Sequence, residues 1–204
     1  MWRFLLCFPN VGFIGYPLVE AIFGHTGLFY AVILVMPFNL LNYSLGPLML
    51  SGKIRFHWKQ LLSPCILMAL LTLILTLAGI HVPPMIGAMA EIVGDVNIPL
   101  SLLVLGSMLA GMSARKVLTS VRMWILSAVR LLAMPAALGV VLHLMGTDPL
   151  VLGVAVAQMA MPVAVNGTML CLEFDGDVDA MAQVTFMTTV LSIVTIPLAV
   201  SLFV

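Results

Sequence analysis

Charge is the first thing this sequence lacks. Lys, Arg, Asp and Glu make up 8% of its 204 residues, against roughly 25% in an ordinary soluble domain. Eight basic residues balance eight acidic ones, so net charge points to neither nucleic acid nor an acidic partner. Cysteine is scarce too. Cys7, Cys65 and Cys171 lie in separate apolar stretches with no CxxC or Cys/His pair, so neither a disulfide framework nor a zinc site is supported, and three buried free thiols are expected. His25, His57, His81 and His143 fall near loops or helix ends without metal-ligand spacing. There is no HExxH, no GxSxG, no ATP motif and no convincing pair of aspartates inside an apolar run. An intramembrane enzyme would lack its nucleophile, base or metal, so neither catalysis nor a cofactor is expected.

What is abundant is hydrocarbon. Hydrophobic residues reach 63% and mean hydropathy is +1.22, the signature of a chain that lives in a bilayer. A hydrocarbon core about 30 Å thick takes about 20 apolar residues per helix. Charges and turn residues divide the chain into about seven such lengths, near 1–23, 27–50, 62–80, 85–112, 121–145, 149–173 and 179–203. Met1-Trp2-Arg3 and the apolar run behind it lack a small-residue cleavage site and read as a shortened span rather than a signal peptide. Arg3, Lys53, Arg55, Lys59, Arg115, Lys116, Arg122 and Arg130 then all fall near one face, which the positive-inside rule makes cytoplasmic, leaving the C-terminus outside. Arg130 is expected to snorkel from the start of its helix to the headgroups. Glu20 and Glu173 read as solvated helix ends.

Two segments are built to interrupt a span. Phe8-Pro9-Asn10-Val11-Gly12-Phe13-Ile14-Gly15-Tyr16-Pro17 sets two prolines and two glycines in apolar surroundings, and Met161-Pro162-Val163-Ala164-Val165-Asn166-Gly167 again joins proline, asparagine and glycine in the last third of the chain. Eleven positions separate Pro9 from Glu20, and eleven separate Pro162 from Glu173. At 1.5 Å per residue that is about 16 Å, half the hydrocarbon core, which puts both prolines near the midplane. Five spans separate the starts of the two copies, so they cross the bilayer in opposite directions. This pattern predicts an all-α membrane protein with an inverted repeat, the architecture of many secondary transporters. Proline lacks an N–H and clashes with the carbonyl four residues back. Broken helices at that depth are tolerated where they are buried in protein or line a wet cavity, and their half-helix ends suit an anionic substrate.

These segments, with Pro99-Leu100-Ser101-Leu102-Leu103-Val104-Leu105-Gly106-Ser107 between them, resemble the auxin efflux carrier (AEC) family of permeases over essentially the whole chain. The resemblance implies ten spans in two inverted five-span repeats, with spans four and nine crossing at prolines. Seven spans starting from the helix of Pro9 correspond to spans four to ten, so the first three family spans are expected to be missing. It further implies a transport domain that includes residues 1–51 and 114–204, a scaffold-type helix pair in 52–113, and a homodimer if the protein is full length.

Asn10 and Asn166 are the leading side-chain candidates for substrate contact, because an amide offers donors and acceptors without a buried charge. Hydrogen bonding between helices is the competing use of both. The resemblance adds Asn39 as a polar pocket residue. Phe13 and Val165 are expected to wall the pocket, and Pro9, Gly12 and Pro162 to shape the crossover. Asn42 and Gln158 read as interhelical hydrogen-bonding residues. Asp95 is the candidate for a coupled proton, against an interfacial position. The expected function is a secondary carrier for a small organic anion such as malate, malonate or an auxin-like acid. Coupling would use a proton or sodium, in the plasma or inner membrane. The competing readings are a seven-span receptor or assembly subunit, and an inactive fragment.

Overall fold

Proline and glycine decide where the helices of this chain stop. The computed structural model describes residues 2–51, 64–96, 99–100, 103, 106–107, 120–173 and 176–203. Their regular structure is helical: α1 (Trp2–Cys7), a π turn (Val11–Gly15), α2 (Tyr16–Ser51), α3 (Pro64–Leu77), α4 (Pro84–Asp95), α5 (Val121–Ala128), a second π turn (Val129–Ala133), α6 (Met134–Leu144), α7 (Pro149–Met159), α8 (Asn166–Glu173) and α9 (Val178–Ser201). Among the described residues the one β-type pairing is an isolated antiparallel bridge between Pro9 and Val163.

Each boundary has a local cause. α2 runs for 36 residues but is bent at Gly24, whose φ of 68° and ψ of −169° leave the helical region. That backbone favours glycine, and it falls where the first and second expected spans divide. Gly146, at φ 68°, closes α6. Asp148 opens α7 two residues later by accepting the N–H groups of Leu150 and Val151 at 2.9 and 3.3 Å, with Pro149 in the first turn. Glycine to stop, aspartate to cap and proline to start is the order that helix ends favour. Asp177 caps α9 through the Ala180 N–H at 2.9 Å.

The two π turns share an arrangement. Each ends two residues before a proline, Gly15 before Pro17 and Ala133 before Pro135. A proline in a continuous helix leaves the carbonyl four residues back without a donor and collides with it. That carbonyl belongs to Phe13 in one case and Leu131 in the other, both inside the widened turn. A π turn gives the ring room while the helix continues.

Three described helical stretches are long and apolar enough to cross a membrane: Val11–Asn39, Val121–Leu144 and Val178–Ser201. α7 is apolar but short, and it forms one expected span only together with the break after it and α8. The 14 residues of α3 rise about 21 Å, less than a full core. α4 buries none of its residues. The basic connections at Lys53, Arg55 and Lys59 and at Arg115 and Lys116 lie outside the described residues.

Two apolar clusters hold the helices together. One gathers Phe4, Leu5, Phe8, Val163, Ala164, Met181 and Val184; the other gathers Val19, Ala31, Val154, Val156, Ala157, Ala160 and Met161. The chain break after α7 passes from the second cluster into the first. Phe4, Leu5 and Phe8 form the inner face of α1 and its extension, which leaves Cys7 exposed rather than buried as expected; Cys171 is buried. Trp2 stacks under the Arg122 guanidinium at 3.8 Å, tying the start of α1 to the start of α5 by a cation–π contact.

Phe4 is a fixed wedge, fully buried and packed at a tilt against Phe8 with ring centroids 4.9 Å apart. A Cβ added at Gly167 would lie 2.6 Å from the Phe4 ring and 3.1 Å from Met181 Sδ, whereas one added at Gly12 would meet nothing within 4 Å. Gly167→Ala should therefore lower stability by about 1–3 kcal/mol, and Gly12→Ala should leave it nearly unchanged. Thermal unfolding of both variants in detergent tests the pair. Equal melting temperatures would remove the wedge argument.

Candidate functional site

A bilayer offers no water to a broken helix, so every backbone group at the two breaks needs a partner inside the protein. The breaks supply much of it to each other. The Asn10 N–H donates to Pro162 O at 2.7 Å, and the Ala164 N–H donates to Phe8 O at 3.1 Å. These two bonds flank Pro9 and Val163, the bridged pair. Pro9 and Pro162 carry no N–H and leave none orphaned. The Val163 N–H, pointing away from the bridge, donates to Thr188 Oγ1 at 3.2 Å; that hydroxyl donates in turn to Val184 O and Thr185 O at 2.8 and 3.1 Å. Val165 O accepts the Thr168 hydroxyl at 3.0 Å.

Arg130 completes the second break. Its Nη2 donates to Met161 O at 3.2 Å, and Nη1 lies 3.4 Å from Met159 Sδ and 3.9 Å from Met134 Sδ. The expected snorkelling to the headgroups is therefore wrong: the side chain is 1% exposed. Nine residues separate Val121, where its helix begins, from Arg130, about 14 Å along the axis and half of a 30 Å core. There Arg130 meets the end of α7, where exposed carbonyls and the negative end of the helix dipole attract a cation. Among the described residues no carboxylate pairs with it; the one ion pair is His25 Nδ1 to Glu20 at 2.8 Å. Its Nε has no hydrogen-bond partner.

Beside the paired breaks lies a cavity of about 550 Å³. Of the residues singled out in the sequence, Pro9, Asn10, Gly12, Phe13, Asn39, Asn166 and Asp95 line it, together with Asn42, Ala164 and Glu20. Val165 and Pro162 do not. Val165 is buried on the far side of the chain, because successive side chains of a non-helical stretch face opposite ways and Ala164 and Asn166 take the cavity side. Pro162 sits behind the crossing and contributes its carbonyl to Asn10. Asp95, at the end of α4, is exposed at the rim.

The polar lining is unusually unsatisfied. Asn10 and Asn42 are each 3% exposed, yet Asn10 Nδ2 and Asn42 Oδ1 have no hydrogen-bond partner, and neither does Asn166 Oδ1. Buried amide atoms without partners cost about 1–3 kcal/mol each, so three around one cavity need a wet or ligand-bound interior. The interhelical hydrogen bond expected for Asn42 does not reach its oxygen. Gln158, for which the same use was expected, has both amide atoms unpartnered and lines a separate apolar cavity of about 170 Å³ with Cys7 and Leu34. The Asn10 side chain does not cap the helix that starts beside it. The Gly15 N–H reaches back to Asn10 O at 3.2 Å, so the N–H groups of Val11, Gly12 and Phe13 open that helix without partners inside it. Among the described residues no group of three His, Cys, Asp or Glu could hold a metal ion.

Sequence reasoning missed Thr188 and misplaced Arg130. Both had signals. Thr185, Thr188, Thr189 and Ser192 fall at helical spacing in an apolar span, a polar stripe that marks a facing partner. Thr188→Val should leave the buried Val163 N–H without an acceptor and cost about 1–3 kcal/mol, while Thr188→Ser should keep most of the stability. Melting curves of the two variants decide it, and equal losses would deny the hydroxyl this role.

A family model described as "Membrane transport protein" matches residues 47–200, taking in the second break and starting beyond the first. The chain is 30% identical over 193 residues to a protein of Methanothermobacter thermautotrophicus named an uncharacterized transporter, covering 93% of this chain and 63% of that one. It thus spans less than two thirds of that relative's length. Apolar helices of spanning length and the family match together make it a multi-pass membrane protein. The chain belongs to the membrane transport family of auxin efflux carrier permeases.

Proposed function

We propose that the protein carries a small organic anion, such as malate, malonate or an auxin-like acid, through alternating access around the cavity beside the paired breaks. The observation that carries this reading is the meeting of one unpartnered amide donor, Asn10 Nδ2, and two unpartnered amide oxygens, of Asn42 and Asn166, with an uncapped helix start at Val11 in one cavity. A carboxylate would accept from the Asn10 amide and the first-turn N–H groups, where the helix dipole also favours negative charge. Asn39 and Asn166 supply further amides, and Phe13 the wall. Pro9, Gly12 and Pro162 keep the crossover open.

The finer architecture belongs to the same proposal. The repeat is read as inverted, with residues 1–51 and 114–204 in the transport unit and 52–113 in the scaffold. The membrane is the plasma or inner membrane with the basic connections cytoplasmic. Asp95, at the rim, is positioned to exchange a coupled proton, or sodium serves instead. In the longer arrangement that the family implies, the protein pairs as a homodimer.

Asn10→Ala keeps the backbone bond to Pro162 and removes the side chain, so affinity should fall about tenfold while the fold persists. Uptake of labelled malate, malonate and indole-3-acetate into proteoliposomes is the readout, and unchanged uptake and affinity would sink the assignment. Gly12→Leu should obstruct the cavity, since a side chain there meets open space. It should abolish uptake with little change in melting temperature; normal uptake would place the substrate path elsewhere.

A further inference from the structure

The carrier reading leaves Arg130 without a role in substrate choice. A carbonyl needs only one neutral donor, yet Met161 O is given a full cation whose other hydrogen-bonding contacts are two thioethers, whose nearest titratable neighbour is the Cys7 thiol and whose Nε bonds to nothing. Neither sulfur nor one carbonyl neutralises a guanidinium, and taking such a charge out of water costs more than one hydrogen bond returns. A cation kept at membrane depth under those terms marks a function of the charge itself.

The cavity shows what that function is. Among the described residues its charged lining, Glu20 and Asp95, is acidic, so no described cation of the lining itself offsets a bound carboxylate. Of the other described Lys and Arg residues, Arg3 and Arg122 are exposed. Arg130 is the described cation that lies deep, and it is coupled to the site by a short path. Its Nη2 is 3.2 Å from Met161 O, the next residue is Pro162, and Pro162 O is 2.7 Å from the Asn10 N–H. The two carbonyls belong to adjacent residues, whose Cα atoms stand about 3.8 Å apart, so the charge lies on the order of 10 Å from the backbone of Asn10. Buried protein screens such a pair far less than water does.

We propose that Arg130 is the positioning residue that makes this site select anions: held behind the second break by Met161 O, its fixed charge offsets the acidic rim and favours a carboxylate over its neutral amide. The inference rests on the carrier reading of the same cavity. A carboxylate bound one hydrogen bond beyond Asn10 lies at about 12 Å, where an effective dielectric of about 20 gives about 1.4 kcal/mol, or about tenfold.

The test uses the whole chain in nanodiscs and ligand-dependent melting to obtain dissociation constants for malonate against malonamide and indole-3-acetate against indole-3-acetamide. Wild type should bind at least one acid about tenfold or more tighter than its amide. Arg130→Met should lose about tenfold for the acid and leave the amide unchanged, and Arg130→Lys should restore most of the preference. Equal losses for acid and amide in Arg130→Met would make the residue purely structural and overturn the proposal. So would an acid preference that survives in Arg130→Met. Should Arg130→Met fail to fold, Arg130→Gln takes its place, and the wild-type ratio alone still decides: a ratio near one overturns the proposal. Binding of an amide but of neither acid would overturn both the proposal and the choice of an anionic substrate, whereas no binding of any of the four would count against the carrier reading itself.

Discussion

Backbone polar groups cannot be left open in hydrocarbon, and this chain opens two helices there. Everything at its centre follows from how those groups are repaid. The Asn10–Pro162 and Phe8–Ala164 bonds join one break to the other. Thr188 takes the N–H that faces away, and Arg130 takes the carbonyl that α7 exposes at its end. Prolines at positions 9 and 162 lower the demand, since each deletes a donor that would otherwise need a partner. The arrangement is a strand pairing one residue pair long, set between helices that could not have supplied it.

Because the backbone at the crossing itself is paired within the protein, the side chains beside it are free to be unsatisfied. Asn10 shows the division of labour. Its N–H is fixed on Pro162, while its side-chain amide lines the cavity without a partner. Asn42 and Asn166 present oxygens in the same state. Helical hydrogen bonds alone would have closed this region, and unpaired backbone would have collapsed onto any nearby donor. The cross-bridge avoids both, and the cavity persists between α2 and the second break.

How much of this could be read from the residues depends on whether the cause is local. Pro9 and Pro162 announce the breaks, Gly24 divides the first two helical runs, and Gly146-Thr147-Asp148-Pro149 spells a helix stop and restart. These are local rules and the structure follows them. Most of the lining was legible as well, since Asn10, Gly12, Phe13, Asn39 and Asn166 all reach the cavity. What failed depends on facing. Val165 differs from Asn166 by one position, which in non-helical chain is the difference between the two sides. Arg130 read as an interfacial cation because basic residues near helix ends usually are, although its nine-residue distance from Val121 was countable. The destination of its charge, Met161 O, lies on another helix and no spacing rule reveals it.

The bridge also constrains how a carrier built this way could move. Sliding one break against the other would break bonds of 2.7 and 3.1 Å between buried groups, a cost that grows with each group left open. Thr188 and Arg130 add α9 and the α5–α6 helix to the same unit. On the proposed reading, both breaks therefore travel together, and access must alternate by motion of that unit against elements it holds loosely. α4 fits that description, for it buries none of its own residues and meets the cavity only at Gly94 and Asp95. On that reading the rim, rather than the crossing, is where the proposed site would open and shut.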